Sequence, residues 1–82
     1  MSQVTVYTLP ACPQCDATKR FFNRNLIDFD EVKLQEDSGA YEIIKAKGFT
    51  QAPVVMAGEE LWSGFRLEKL EAIKANVSSA VV

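Results

Sequence analysis

Histidine is absent from the 82-residue chain, and cysteine occurs only twice. Without histidine, neither a Ser/His nor a Cys/His nucleophile pair can be built. A closed zinc site needs about four nitrogen or sulfur ligands, so two sulfurs could hold a metal only with a second subunit or with unusual carboxylates. Long apolar runs are missing too. No stretch approaches the roughly 20 residues of a membrane span. Met1-Ser2-Gln3-Val4 has no basic segment leading into an apolar one, as a secretory signal would. Positive charge is the scarcer sign, with 9 Lys and Arg against 11 Asp and Glu, for a net charge of -2 and a pI near 5.0. Nucleic acid and anionic membranes need clustered positive charge and are poor candidate partners. The expected compartment is the cytoplasm, where two cysteines close in sequence point to redox or metal chemistry rather than to a structural staple.

What is present is a globular balance, 48% apolar and 24% charged. A chain of this length buries only roughly 60–65% of the surface it would expose unfolded, enough for one core and no regulatory module. A single domain over residues 1–77 is expected, monomeric, with 78–82 as a loose tail.

Val4 to Thr8 is a β-rich run ending before Pro10. Pro13 suits the first position of a helix, Asp16 favours its first turn, and Ala17, Phe21, Phe22 and Leu26 give an apolar face to about Asn25. Phe29 to Leu34 reads as a second strand. Asp37-Ser38-Gly39 starts a helix carrying Ala40, Tyr41, Ile43, Ile44 and Lys47 at helical spacing until Gly48 stops it. Pro53 to Met56 and Leu61-Trp62 flank a glycine turn and read as a hairpin. Ser63-Gly64 can cap a last helix from about Phe65 to Asn76, with Leu67, Leu70, Ile73 and Val77 inward. The order β-α-β-α-β-β-α, with a right-handed crossover between the first two strands, gives an α/β fold of thioredoxin-like layout. Its four-stranded mixed sheet is flanked by three helices.

Cys12-Pro13-Gln14-Cys15 falls where the first strand turns into the first helix, the setting in which C-x-x-C reads as a redox motif. Residues i and i+3 at a helix start can close or open a disulfide with little backbone movement. Cys12, at the helix start, faces unpaired amides and the positive end of the dipole, which stabilise its thiolate. Cys15, one turn inside, is expected to be more buried. Cys12 is then the nucleophile and Cys15 the resolving thiol. Lys19 and Arg20 come a turn later and Asp16 opposes activation, so backbone and dipole carry most of the effect. The bland alternatives are an inert buried thiol pair, or half of a zinc site shared across a dimer.

Pro53 opens a strand, and spacing alone predicts a trans Ala52-Pro53 bond, since X-Pro bonds are cis only about 5–6% of the time. Trp62-Ser63-Gly64-Phe65-Arg66 places two aromatics around a corner, with core packing of Trp62 and an N-cap by Ser63 as the plain reading.

With these stations located, the chain resembles the glutaredoxin-like NrdH redoxins, small cytosolic thiol-disulfide proteins of bacteria and phages. The resemblance rests on Thr5-Val6-Tyr7-Thr8, Pro10-Ala11-Cys12-Pro13-Gln14-Cys15, Gln51-Ala52-Pro53-Val54-Val55 and Trp62-Ser63-Gly64-Phe65-Arg66. It implies a cis Pro53 beside the disulfide, with the Ala52 backbone free to pair with an extended substrate segment. It also implies electron transfer from thioredoxin reductase to class Ib ribonucleotide reductase, with no cofactor beyond the Cys12–Cys15 disulfide. Family members often have Lys where this chain has Leu9, Val or Met where it has Pro13, and Pro where it has Leu67.

Pro13 is shared with dithiol glutaredoxins, which makes a glutathione-dependent protein the alternative. Glutaredoxins, however, hold glutathione with a basic residue before the first cysteine and a Gly-Gly-x-Asp-like turn. Here those positions read Leu9 and Ser63-Gly64-Phe65-Arg66. An apolar docking face of Leu9, Pro13, Pro53 and Phe65 suits a protein partner better. A third reading is a module holding zinc or an iron–sulfur cluster through Cys12 and Cys15 of two chains. In a chain with no separate substrate domain, specificity is expected on a rim of Pro13, Gln14, Gln51, Ala52, Pro53 and the Trp62 to Arg66 corner.

Overall fold

In the computed structural model, which describes residues 4–81 and side chains as far as residue 75, the elements follow the expected order. The β-branched run Val4–Thr8 is strand β1, with Val4, Val6 and Thr8 buried on one face and Thr5 and Tyr7 half-buried on the other. After it come α1 (Pro13–Arg24), β2 (Asp30–Lys33), α2 (Ser38–Ala46), β3 (Val54–Ala57), β4 (Glu60–Ser63) and α3 (Leu67–Val81). The strands stand in the order β2-β1-β3-β4. β1 and β2 run parallel through the α1 crossover, and the β3–β4 hairpin adds antiparallel neighbours.

The period-2 alternation of the strands divides the core in two. Val4, Val6, Val55 and Trp62 meet Phe22 and Ile27 from α1 and its end, and Leu70 and Ile73 from α3. On the opposite face Val54 meets Leu34 and Ile44 of α2, with Tyr7, Ala40, Phe49 and Leu61 packed around them. Each fully buried side chain of this kind stabilises the fold by about 1.5–3 kcal/mol, so the larger cluster holds α1 firmly against the sheet. The cysteines ride on that helix.

Local chemistry fixes the helix ends. Asp37 caps α2, its carboxylate accepting the Ala40 amide at 3.0 Å. Gly48 then ends it in a left-handed turn at φ 92°, with the Gly48 amide on the Lys45 carbonyl and the Phe49 amide on that of Ile44. α1 ends on the same pair of bonds, Leu26 to Asn23 and Ile27 to Phe22, but with leucine at φ 57° where glycine is usual.

Several side chains depart from the periodic reading. Leu26 is 90% exposed instead of lying on the inner face of α1, because the left-handed turn swings it outward and brings Ile27 in. Leu67 is exposed at the start of α3, where the chain has only just left the corner, while Leu70 and Ile73 are buried as expected. Ser63 closes β4 opposite Val54 instead of capping α3, which begins at Leu67 and runs to Val81 rather than to about Asn76. Residues 78–81, expected as part of a loose tail, continue α3, while the Val77 side chain, expected inward, lies outside the described residues.

Candidate active site

The strand-to-helix turn places Cys12 as the N-cap of α1, in extended conformation, with Pro13 at the first helical position. Its Sγ accepts the Cys15 amide at 3.1 Å, and its carbonyl accepts that of Asp16 at 3.1 Å. A sulfur stands here in the role usually taken by a Ser or Asp oxygen, and the same amide is in place to stabilise a Cys12 thiolate after reduction. The two cysteines form a disulfide with their Cα atoms 5.2 Å apart. Cys15 is only 1% exposed, whereas Cys12 is half-buried at the lip of a groove. Only Cys12 is open to a partner's sulfur.

That groove, about 410 Å³, runs from Leu9-Pro10-Ala11 across Cys12, Pro13 and Gln14 to Thr50, Gln51 and Ala52. None of these side chains is charged. Ala52-Pro53 is cis, as the family resemblance implied and against the trans bond expected from spacing. Local spacing carries no record of the tertiary site: Pro53 is fully buried where β3 begins. It therefore belongs neither to the exposed rim nor to the apolar docking face expected for it, and Ala52, half-buried, is the part of this segment that meets the groove.

The Trp62 to Arg66 corner is joined to the groove by two bonds. The Gly64 amide donates to the Pro53 carbonyl at 2.8 Å, and the Phe65 amide donates to Gln14 Oε1 at 3.1 Å. Gly64 has φ 86°, a conformation that a side chain would oppose. Gln14 thus braces the corner against the cysteine helix. Phe65 and Arg66 are exposed, and Arg66 is paired with Glu68 at 2.8 Å. Trp62 is 5% exposed in the larger core, so the plain packing reading holds for its ring and it leaves the rim. Its buried Nε1 has no partner among the described residues, and Lys69 Nζ lies 5.8 Å from the ring centroid.

The glutaredoxin family model matches residues 4–62, from β1 through most of β4. The glutaredoxin-like protein NrdH of Escherichia coli (strain K12) is 39% identical over 71 residues, 87% of this chain and 88% of that protein. The chain belongs to the glutaredoxin family, among its NrdH members. The NrdH protein of Lactococcus lactis is 36% identical over 67 residues, 82% of this chain and 93% of the relative. The solved NrdH-redoxin of Escherichia coli superposes with a TM-score of 0.82 at 40% identity, covering 84% of this chain and 91% of that one. As a NrdH-type glutaredoxin, the protein is a thiol-disulfide oxidoreductase with Cys12 and Cys15 as its redox pair.

Among the described residues no group of three or more His, Cys, Asp or Glu could hold a metal, and no helix is long and apolar enough to cross a membrane. Sequence reasoning missed two features beside the NrdH motifs. Thr50 lines the groove next to Gln51, a placement that adjacency alone suggests. Thr18, fully buried, donates its hydroxyl to the Gln14 carbonyl at 2.9 Å and so anchors the first turn of α1, a role that apolar periodicity cannot reveal.

Proposed function

We propose that this NrdH-type glutaredoxin is a cytoplasmic electron carrier, reduced by thioredoxin reductase and passing electrons to class Ib ribonucleotide reductase. In the dithiol form, the Cys12 thiolate attacks one sulfur of the acceptor's disulfide. A Cys12–acceptor bond forms, the acceptor's S–S bond breaks, and its other sulfur leaves as a thiolate that takes up a proton. Cys15 then loses its proton and attacks Cys12 Sγ, closing the Cys12–Cys15 disulfide and releasing the acceptor as a dithiol. Two electrons have moved, and the donor returns them by the same exchange in reverse. The burial of Cys15 beside the accessible Cys12 supports this division of roles.

The observation that carries the choice of donor is the uncharged groove beside Cys12. Glutathione brings two carboxylates, and no lysine or arginine lines the groove to receive them. Arg66, at the corner, is occupied by Glu68. Leu9, Pro13 and Phe65, all exposed, offer apolar contact suited to a protein surface instead. The NrdH-redoxin of Escherichia coli has a thioredoxin-like activity profile, which supports the same donor here. The resemblance to NrdH redoxins supports class Ib ribonucleotide reductase as acceptor.

Disulfide recovery with NADPH and thioredoxin reductase is compared with recovery driven by glutathione. Rapid recovery with the reductase is expected; rapid recovery with glutathione alone overturns this reading. The Cys15→Ser variant should accumulate a mixed disulfide with its acceptor through Cys12, and equal crosslinking through either cysteine contradicts the assigned roles.

A further inference from the structure

Cys12 borders two clefts of opposite character. One is the uncharged groove. The other, about 270 Å³, lies on the β2 side and is lined by Thr8, Leu9, Pro10, Ala11, Cys12 and a set of charged side chains: Asp16 and Lys19 from α1, Glu31 and Lys33 from β2, and Glu36 beyond it. Positions 12, 16 and 19 follow one another at four and three residues, so they share a face of α1. Helical side chains lean toward the N-terminus, so Lys19 extends back along that face, and it lines the same cleft as Cys12.

The ammonium is held in place there. Lys19 Nζ lies 3.1 Å from Glu31 Oε2 and 3.9 Å from Asp16 Oδ1. The same Glu31 oxygen accepts the hydroxyl of buried Thr8 at 2.8 Å. Partial burial works to raise the Glu31 pKa. Hydrogen bonds from Lys19 and Thr8, with the charges of Lys19 and Lys33, outweigh it and hold the carboxyl below its ordinary range. Glu31 is therefore a fixed anion throughout neutral pH, and Lys19 is a tethered cation.

We propose that Lys19 is a positioning residue for the thiol chemistry: anchored by Glu31 and Thr8 across the cleft, its charge offsets the carboxylate of Asp16 and stabilises the Cys12 thiolate. The inference rests on Cys12 being the attacking thiol. It adds a side-chain charge to the amide and dipole contributions, and explains how Asp16 can sit in the first turn, next to the nucleophile's face, without suppressing it. The titratable groups facing this cleft are Asp16, Lys19, Glu31, Lys33 and Glu36. None faces Cys12 from the groove side.

The test measures the pH dependence of Cys12 alkylation by iodoacetamide in the Cys15→Ser protein. The midpoint of that parent tests the attacking-thiol reading, since a free thiol titrates near 8.5. The differences among variants made on it test Lys19. Lys19→Gln should raise the midpoint by about half a pH unit, roughly a threefold loss of thiolate at a pH below it, the size expected for partly exposed charges separated by about two helical turns at most. Lys19→Arg should keep the parent value, and Asp16→Asn should lower it. The Lys19→Gln displacement should shrink in about 1 M salt, where the Debye length falls to about 3 Å. A midpoint that Lys19→Gln leaves in place or lowers overturns the proposal. Should that variant fail to fold, an Asp16→Asn midpoint equal to the parent's does so.

Discussion

Two helices of this protein end on the same pair of hydrogen bonds, and one ends on the wrong residue for it. At the close of α2, Gly48 takes φ 92° and no atom lies within 4 Å of where a Cβ would stand. At the close of α1, Leu26 takes φ 57° with its side chain 90% exposed. A left-handed residue with a Cβ costs about 1–2 kcal/mol relative to glycine, while glycine loses about 0.4–1 kcal/mol more on folding from its freer unfolded state. The difference leaves Leu26→Gly more stable by about 0.5–1 kcal/mol, since almost no buried surface is given up. Gly48→Ala should cost the same amount for the same reason, with no steric clash added.

Urea unfolding should therefore move in opposite directions for the two substitutions at unchanged slope, because neither alters the surface exposed on unfolding. In a domain of this size about 1 kcal/mol displaces the thermal midpoint by about 4–8 °C. Leu26→Asn, which tolerates the left-handed region, should fall between leucine and glycine. A lower midpoint for Leu26→Gly would refute the reasoning and show that the exposed leucine makes a stabilising contact. A neutral Gly48→Ala would refute it from the other side.

Two further outcomes follow from the site. Gln14→Ala removes the acceptor of the Phe65 amide, so KM for a protein disulfide should rise while the Cys12 alkylation rate holds; an unchanged KM shows that the corner needs no brace. For pH, Glu31 is lowered in the folded state, so its stabilisation is fully present above the ordinary 4.5 and is lost as pH falls through the depressed value. Glu31→Gln should flatten that limb of an acid titration of stability, and an unaltered limb would remove Glu31 from the account.

Much of the scaffold could be read locally, because local chemistry makes it. The β-branched run of β1, the Asp37 cap, the Gly48 stop and the hairpin turn between β3 and β4, where Gly58 takes φ 61°, each act through their own backbone. Cys12-Pro13-Gln14-Cys15 was legible for the same reason, since a helix start is a property of a few adjacent residues. What escaped depends on which neighbour covers a surface. Helical spacing marks Tyr41, Ile43 and Ile44 alike, yet nine-residue α2 buries only Ile44 and leaves Tyr41 and Ile43 exposed. Pro53 and Trp62 looked like rim residues because their motifs surround the disulfide. In the fold one is buried at the start of β3, and the other turns through β4 into the core.

The burial of those two residues narrows where partner choice can be exercised. On the function proposed above, a partner's disulfide reaches Cys12 across the groove lined by Gln14, Thr50 and Gln51, beside the exposed apolar side chains of Leu9, Pro13 and Phe65. The charges that bear on the nucleophile lie on its other side, in the cleft of Asp16, Lys19 and Glu31. The two clefts share Leu9, Pro10, Ala11 and Cys12 and are otherwise lined by different residues. Apolar changes in the groove should alter which disulfide is reduced without altering thiolate formation, and charge changes in the cleft should do the reverse. A chain with no histidine and room for one core can keep these functions separate, because the helix that presents the sulfur forms a wall of both clefts.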